Sequence, residues 1–102
     1  MGPARAGHVK SAVVFYPTAP WTRLANRFTA RYGIAHGKDL DALRLTERER
    51  AVVCLFLGLD GVAPHLQHEI GDILGLTKQR IRQLLGAALR KVERGRYPVR
   101  PE

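Results

Sequence analysis

The chain has 102 residues, 45% of them hydrophobic and 25% charged, enough for one compact domain and far from the composition of a disordered segment. Its formal charge of +8 is segregated: +5 over residues 1–44 (seven basic, two acidic), −3 over 45–75 (two basic, five acidic) and +6 over 76–102 (eight basic, two acidic). A field of this kind attracts polyanions, nucleic acid first, with anionic lipid and acidic protein surfaces as competitors.

Residues 1–12 show no helical period and read as a loose start, and "AVVFY" (12–16) reads as a short extended segment that Pro17 and Pro20 break. The opening "MGPARAGHVK" lacks the apolar centre of a signal peptide, and no apolar run approaches the ~18 residues of a membrane span. Cys54 stands alone, which excludes an internal disulfide and fits a reducing compartment. A soluble cytoplasmic protein is the expectation.

In "APWTRLANRFTARYG" the residues Trp21, Leu24, Ala25, Phe28 and Tyr32 recur on one helix face, while Arg23, Arg27 and Arg31 line another at four-residue intervals. The spacing predicts an amphipathic helix over about 19–33, with Gly33 as its C-terminal cap. Its aromatic face is expected to pack on the rest of the chain, or else to bind a partner; its arginines suit phosphate or an acidic protein surface. "IAHGKDLDALR" reads as a connector with at most a short helical turn.

Thr46 with Glu49 three residues on is a capping box, so a helix is predicted from about Glu47 to Leu57. "GLDGVAP" (58–64) is a loop, "LQHEIGDILG" (66–75) a short helix with Ile70, Ile73 and Leu74 on one face, and "LTKQRIRQLLGAALRKV" (76–92) a longer one. On that last helix Ile81, Leu84, Leu85, Ala88, Leu89 and Val92 share one arc, and Gln79, Arg82, Gln83, Gly86 and Arg90 share the opposite arc with Lys78 at its edge. A helix of about eight residues, a glycine-containing turn and a second amphipathic helix make a helix-turn-helix of the DNA-binding kind. Arginine and glutamine offer paired hydrogen bonds to base edges, and lysine and arginine neutralise phosphates. The plain alternative is a solvated basic face.

The stretch "LTERERAVV", "GLDG" and "EIGDILGLTKQRIRQLLGAALRKV", residues 45 to about 93, resembles region 4 of the bacterial primary sigma factors. The resemblance implies a compact all-helical domain whose helix-turn-helix reads the upstream (minus thirty-five) promoter element and whose other surface docks on the flap of the RNA polymerase beta subunit. It also implies a bacterial or phage origin and a nucleoid-associated location. Carried over by position, the DNA-binding residues are Thr77, Lys78, Gln79, Arg82 and Gln83, and Arg48 matches a family arginine that contacts phosphate; Arg80, Arg90 and Lys91 are further candidate phosphate contacts by their charge.

Several positions depart from the family wording. Lys78 replaces an arginine, removing the planar fork that pairs with guanine. Gln79 replaces a glutamate able to accept from cytosine, so the base preference should differ. Leu66 replaces a capping threonine. Cys54 and Phe56 replace basic residues and Leu85 a glutamate, three changes toward apolar. These suggest a covered surface, with Trp21, Phe28, Phe56 and Leu85 as a candidate protein-partner surface; the cover is the N-terminal helix, a polymerase subunit or a second copy in a homodimer. Nothing in residues 1–44 resembles the sigma region that melts DNA, so the chain is not expected to be a complete initiation factor.

Other chemistry has less support. His65 and His68 with Glu69 lack a third His or Cys ligand for zinc, Cys54 has no activating base, and Asp39 and Asp41 form no evident acid/base pair. No metal, cofactor or enzymatic activity is expected. The expectation is an all-α chain with an N-terminal segment (1–44), a helix-turn-helix domain of region 4 type (45–95) and a tail (96–102). Its expected function is transcription regulation by binding double-stranded DNA together with RNA polymerase. The competing reading is a protein-binding mimic of region 4 that docks on the beta flap or on a sigma factor without sequence-specific DNA binding.

Overall fold

A computed structural model describes residues 20–97. The expectations for residues 1–19, for the end of the tail and for the Trp21 side chain lie outside the described residues. The fold is all-α: among the described residues there is no strand, and no helix is long and apolar enough to cross a membrane. In chain order come α1 (Pro20–Asn26), a π-helical stretch that continues it (Arg27–Arg31), a 3₁₀ helix (Gly37–Leu43), α2 (Glu47–Leu57), α3 (Gln67–Leu74) and α4 (Lys78–Gly95).

Helix α4 is the element around which the others pack: α2, α3, the 3₁₀ helix and the π-helical stretch all lie against it. Its predicted apolar arc is inside without exception, since Ile81, Leu84, Leu85, Ala88, Leu89 and Val92 are all buried. Val52, Val53 and Phe56 of α2 and Ile70 of α3 belong to the same core, as do Ala25, Phe28, Tyr32, Ile34, Leu40 and Leu43 from the N-terminal side. Burying a Leu, Ile or Phe side chain stabilises by about 1.5–3 kcal/mol, whereas helix propensities differ by well under 1 kcal/mol per ordinary residue. Packing therefore fixes this arrangement, and propensity assists it.

The boundaries of α2 follow from its caps. Thr46 Oγ1 accepts from the Glu49 N–H at 3.1 Å while Glu49 Oε1 accepts from the Thr46 N–H at 2.9 Å. At the start of α3 only half of this device survives: Leu66 offers no side-chain cap, and Glu69 Oε1 alone reaches back to the Leu66 N–H at 2.8 Å.

Four expectations need correction. The helix over 19–33 is not uniform; it widens into π-helical turns at Arg27, beside a Thr29 hydroxyl that donates back to the Ala25 carbonyl at 3.1 Å. The connector holds more than a short turn, because Asp39 accepts from the Ala35 and His36 N–H groups at 2.9 Å and Asp60 accepts from the Gly37 N–H, which together start a seven-residue 3₁₀ helix. Ile73 does not share the buried face of α3. Ile70 and Gly71 are buried and Leu74 is half-buried, and at 100° per residue that arc leaves Ile73 outside, 56% exposed. Phe28, Phe56 and Leu85 are fully buried in the chain's own core, so they are not free to form a protein-partner surface. The cover over them is intramolecular and includes the N-terminal helix.

Candidate nucleic-acid interface

The site is built by a sharp turn between α3 and α4. Gly75 takes the left-handed conformation (φ 71°) that a β-carbon would strain, and the Leu76 N–H donates to the Gly71 carbonyl at 2.8 Å. A β-carbon at Gly71 would stand 2.5 Å from the Leu76 carbonyl oxygen, so only glycine lets the turn fold this tightly onto α3. Thr77 then caps α4, its hydroxyl accepting from the Arg80 N–H at 3.0 Å. The same hydroxyl keeps its own proton, a donor at the exposed end of the helix.

From this start the outward face of α4 is laid down by helical geometry. Thr77, Lys78, Gln79, Arg80, Arg82, Gln83 and Arg90 are all exposed. Gln79, Arg82, Gln83, Gly86 and Arg90 line one shallow concavity of about 390 Å³. No carboxylate occurs between residues 77 and 92, and among the described residues Lys78, Arg82 and Arg90 have no ion-pair partner. Among the described residues the Arg80 guanidinium reaches only Gln83 Oε1, at 3.4 Å. These cations are available to an external anion. Arg48, on the first turn of α2, is also exposed and unpaired among the described residues.

Lys91 differs from the other candidate phosphate contacts. Its ammonium donates to Glu49 Oε1 at 2.7 Å and to the Arg44 carbonyl at 3.4 Å, so its charge is spent inside the chain. Burial by itself would raise the Glu49 pKa, but the Lys91 hydrogen bond and the Thr46 N–H outweigh it and hold the carboxyl below its ordinary value. The expectation for Lys91 missed this partner because it lies 42 residues away in sequence.

The N-terminal arginines are likewise engaged. Arg27 pairs with Glu93 at 2.8 Å, and Arg31 lies over the Tyr32 ring with its Cζ 5.7 Å from the centroid. In return Arg96 donates from Nε to the Tyr32 carbonyl at 2.8 Å. The Arg27–Glu93 and Arg96–Tyr32 contacts fasten the N-terminal segment to the C-terminal end of α4 and the residue that follows it.

His65 Nδ1 lies 3.3 Å from the Leu55 carbonyl, and among the described residues no group of three or more His, Cys, Asp or Glu side chains is placed to hold a metal. Asp41 pairs with Arg50 at 2.6 Å. Burial pushes the Cys54 thiol up, away from the thiolate a nucleophile needs.

Comparison with known proteins gives a consistent result. Residues 43–94 match the family model described as sigma-70, region 4. The chain is 45% identical over 56 residues to an RNA polymerase sigma factor SigA from Bacillus sp., covering 55% of this chain and 14% of that protein. It is 46% identical over 48 residues to the chloroplastic RNA polymerase sigma factor sigD of Arabidopsis thaliana, covering 47% of this chain and 12% of that protein. The chain thus spans about one seventh or less of the length of these relatives. No solved structure matches it.

Proposed function

The chain belongs to the sigma-70 region 4 family, and from that premise we propose that it regulates transcription by binding double-stranded DNA through α3, the turn and α4, in company with RNA polymerase. The observation that carries this reading is the exposed face of α4, in which cations and glutamines alternate with no carboxylate among them. An α-helix fits the major groove, where Arg82 suits the acceptor pair of guanine and Gln79 and Gln83 suit the donor and acceptor pair of adenine. Lys78 supplies a point charge, and Thr77, Arg80, Arg48 and Arg90 are placed for phosphate oxygens. Lys91 is left out of that set because Glu49 holds it.

With about three cationic phosphate contacts, log affinity should fall against log salt with a slope of roughly −3. The test is selection of bound sequences from a random duplex pool at physiological salt, with and without RNA polymerase. A motif enriched by the protein alone, or only with polymerase, supports the reading. Stable polymerase binding with no motif under either condition overturns it in favour of a region 4 mimic that docks on the beta flap or on a sigma factor.

A further inference from the structure

Gly86 sits at the middle of the outward face of α4, in the third turn of an otherwise well-formed helix. A glycine there weakens the helix, and nothing among the described residues asks for it: a β-carbon at Gly86 would meet only the far end of the Arg90 side chain, at 3.8 Å. This contrasts with Gly71, which the turn itself requires. What the glycine creates is a notch, the floor of the concavity lined by Gln79, Arg82, Gln83 and Arg90.

We propose that this notch seats a DNA backbone phosphate against the Arg90 guanidinium, next to the stretch of α4 that carries the base-reading Arg82 and Gln83. The proposal rests on the DNA-binding reading and adds a site to it. At 1.5 Å per residue the stripe from Gln79 to Arg90 is about 16 Å long, more than the roughly 12 Å width of a major groove. When the first two turns of α4 lie against base edges, Gly86, about 10 Å along the axis from Gln79 and just past those turns, meets the sugar-phosphate ridge that borders the groove. A side chain at that point would hold the ridge away. A bare helix surface lets it approach, and the Arg90 guanidinium, which has no ion-pair partner among the described residues, then closes on the phosphate oxygens.

The test compares Gly86→Ala and Gly86→Leu with the unsubstituted chain. Binding to a mixed-sequence duplex of about 30 base pairs is followed by fluorescence anisotropy over a salt series, and folding by thermal melting. Both variants should melt at or above the temperature of the original. Gly86→Ala should bind a few-fold more weakly and Gly86→Leu about tenfold or more, with the salt slope of the latter reduced by about one. Arg90→Ala should weaken binding far less in the Gly86→Leu background than in the original, because both remove the same contact. A Gly86→Leu chain that binds DNA with unchanged affinity and slope overturns the phosphate seat while leaving the DNA reading intact. One that keeps DNA binding but loses binding to RNA polymerase overturns it in favour of a protein carboxylate. If the unsubstituted chain binds no duplex even at low salt, the DNA reading falls and the seat with it.

Discussion

The two ends of α4 are both basic and use their charge differently. From Lys78 to Arg90 the cations point outward with no carboxylate beside them among the described residues, whereas three of the four charged residues from Lys91 to Arg96 are engaged within the chain: Lys91 holds Glu49, Glu93 holds Arg27, and Arg96 holds the Tyr32 carbonyl, with Arg94 left exposed. One end is an exposed face without ion-pair partners among the described residues and the other a fastening. Net charge alone does not separate these roles, since a cation bound within the chain counts the same as one available to a ligand.

The sharpest way to break this contrast is to ask whether the apolar arc behind both ends is core throughout. Leu85 stands where the family has a glutamate, and it is fully buried. Leu85→Ala should cost about 3 kcal/mol in urea unfolding, as a large-to-small change in a packed core does. A loss below about 0.5 kcal/mol would mean that the site is a loosely covered surface. On the outward face the effect should be reversed in kind: Arg82→Ala should leave unfolding unchanged within about 0.5 kcal/mol and weaken DNA binding by about 1–3 kcal/mol with relaxed base preference. Unchanged affinity would remove Arg82 from the base-reading set.

What could be read from the sequence follows the same division. The start of α2 was legible because Thr46 and Glu49 are local, three residues apart. The buried arc of α4 was legible because six apolar residues repeat at helical spacing. The fastening end was not, because its partners lie 42 to 66 residues away and no local pattern announces them. The same holds for the 3₁₀ helix, whose Gly37 N–H is met by Asp60 from 23 residues downstream. The apolar changes at Phe56 and Leu85 pointed correctly to a covered surface, but the sequence left open which cover. The core shared with Phe28, Tyr32 and Ile34 resolves that within the chain. The outward residues of α4 were easy to place and hard to interpret, since exposure and sign are visible in a helical wheel and a ligand is not.

The fastening end has its own pH signature. Breaking the half-buried pair with Lys91→Met should cost about 1–2 kcal/mol, less than for a fully buried pair because Lys91 is 28% exposed, and it should leave the salt slope of DNA binding unchanged. A slope reduced by about one would return Lys91 to the phosphate contacts. Glu49 is held below its ordinary carboxylate pKa, so the unfolded chain takes up its proton first as pH falls. The stability contributed by Glu49 is therefore fully present above the unfolded value and is lost as pH drops through the folded one. In the Glu49→Gln variant that part of the acid sensitivity should disappear, as equilibrium unfolding between about pH 6 and pH 3 would show.

The smallest effect is expected where the fastening looks most conspicuous. Arg27 and Glu93 join the N-terminal helix to α4 at 2.8 Å, but their side chains are 54% and 32% exposed, so water and salt screen the attraction. Arg27→Ala should cost no more than about 0.5 kcal/mol, and less at high salt, while Phe28→Ala one residue on should cost about 3–5 kcal/mol because its ring is fully buried. DNA affinity of the Arg27 variant should be unchanged, since its guanidinium is tied to the end of α4 away from the recognition face. If Arg27→Ala instead destabilised by more than about 2 kcal/mol, the N-terminal helix would be held by its ion pair. If it flattened the salt slope, Arg27 would exchange Glu93 for a phosphate on binding, and the division between the two ends of α4 would hold only in the free protein.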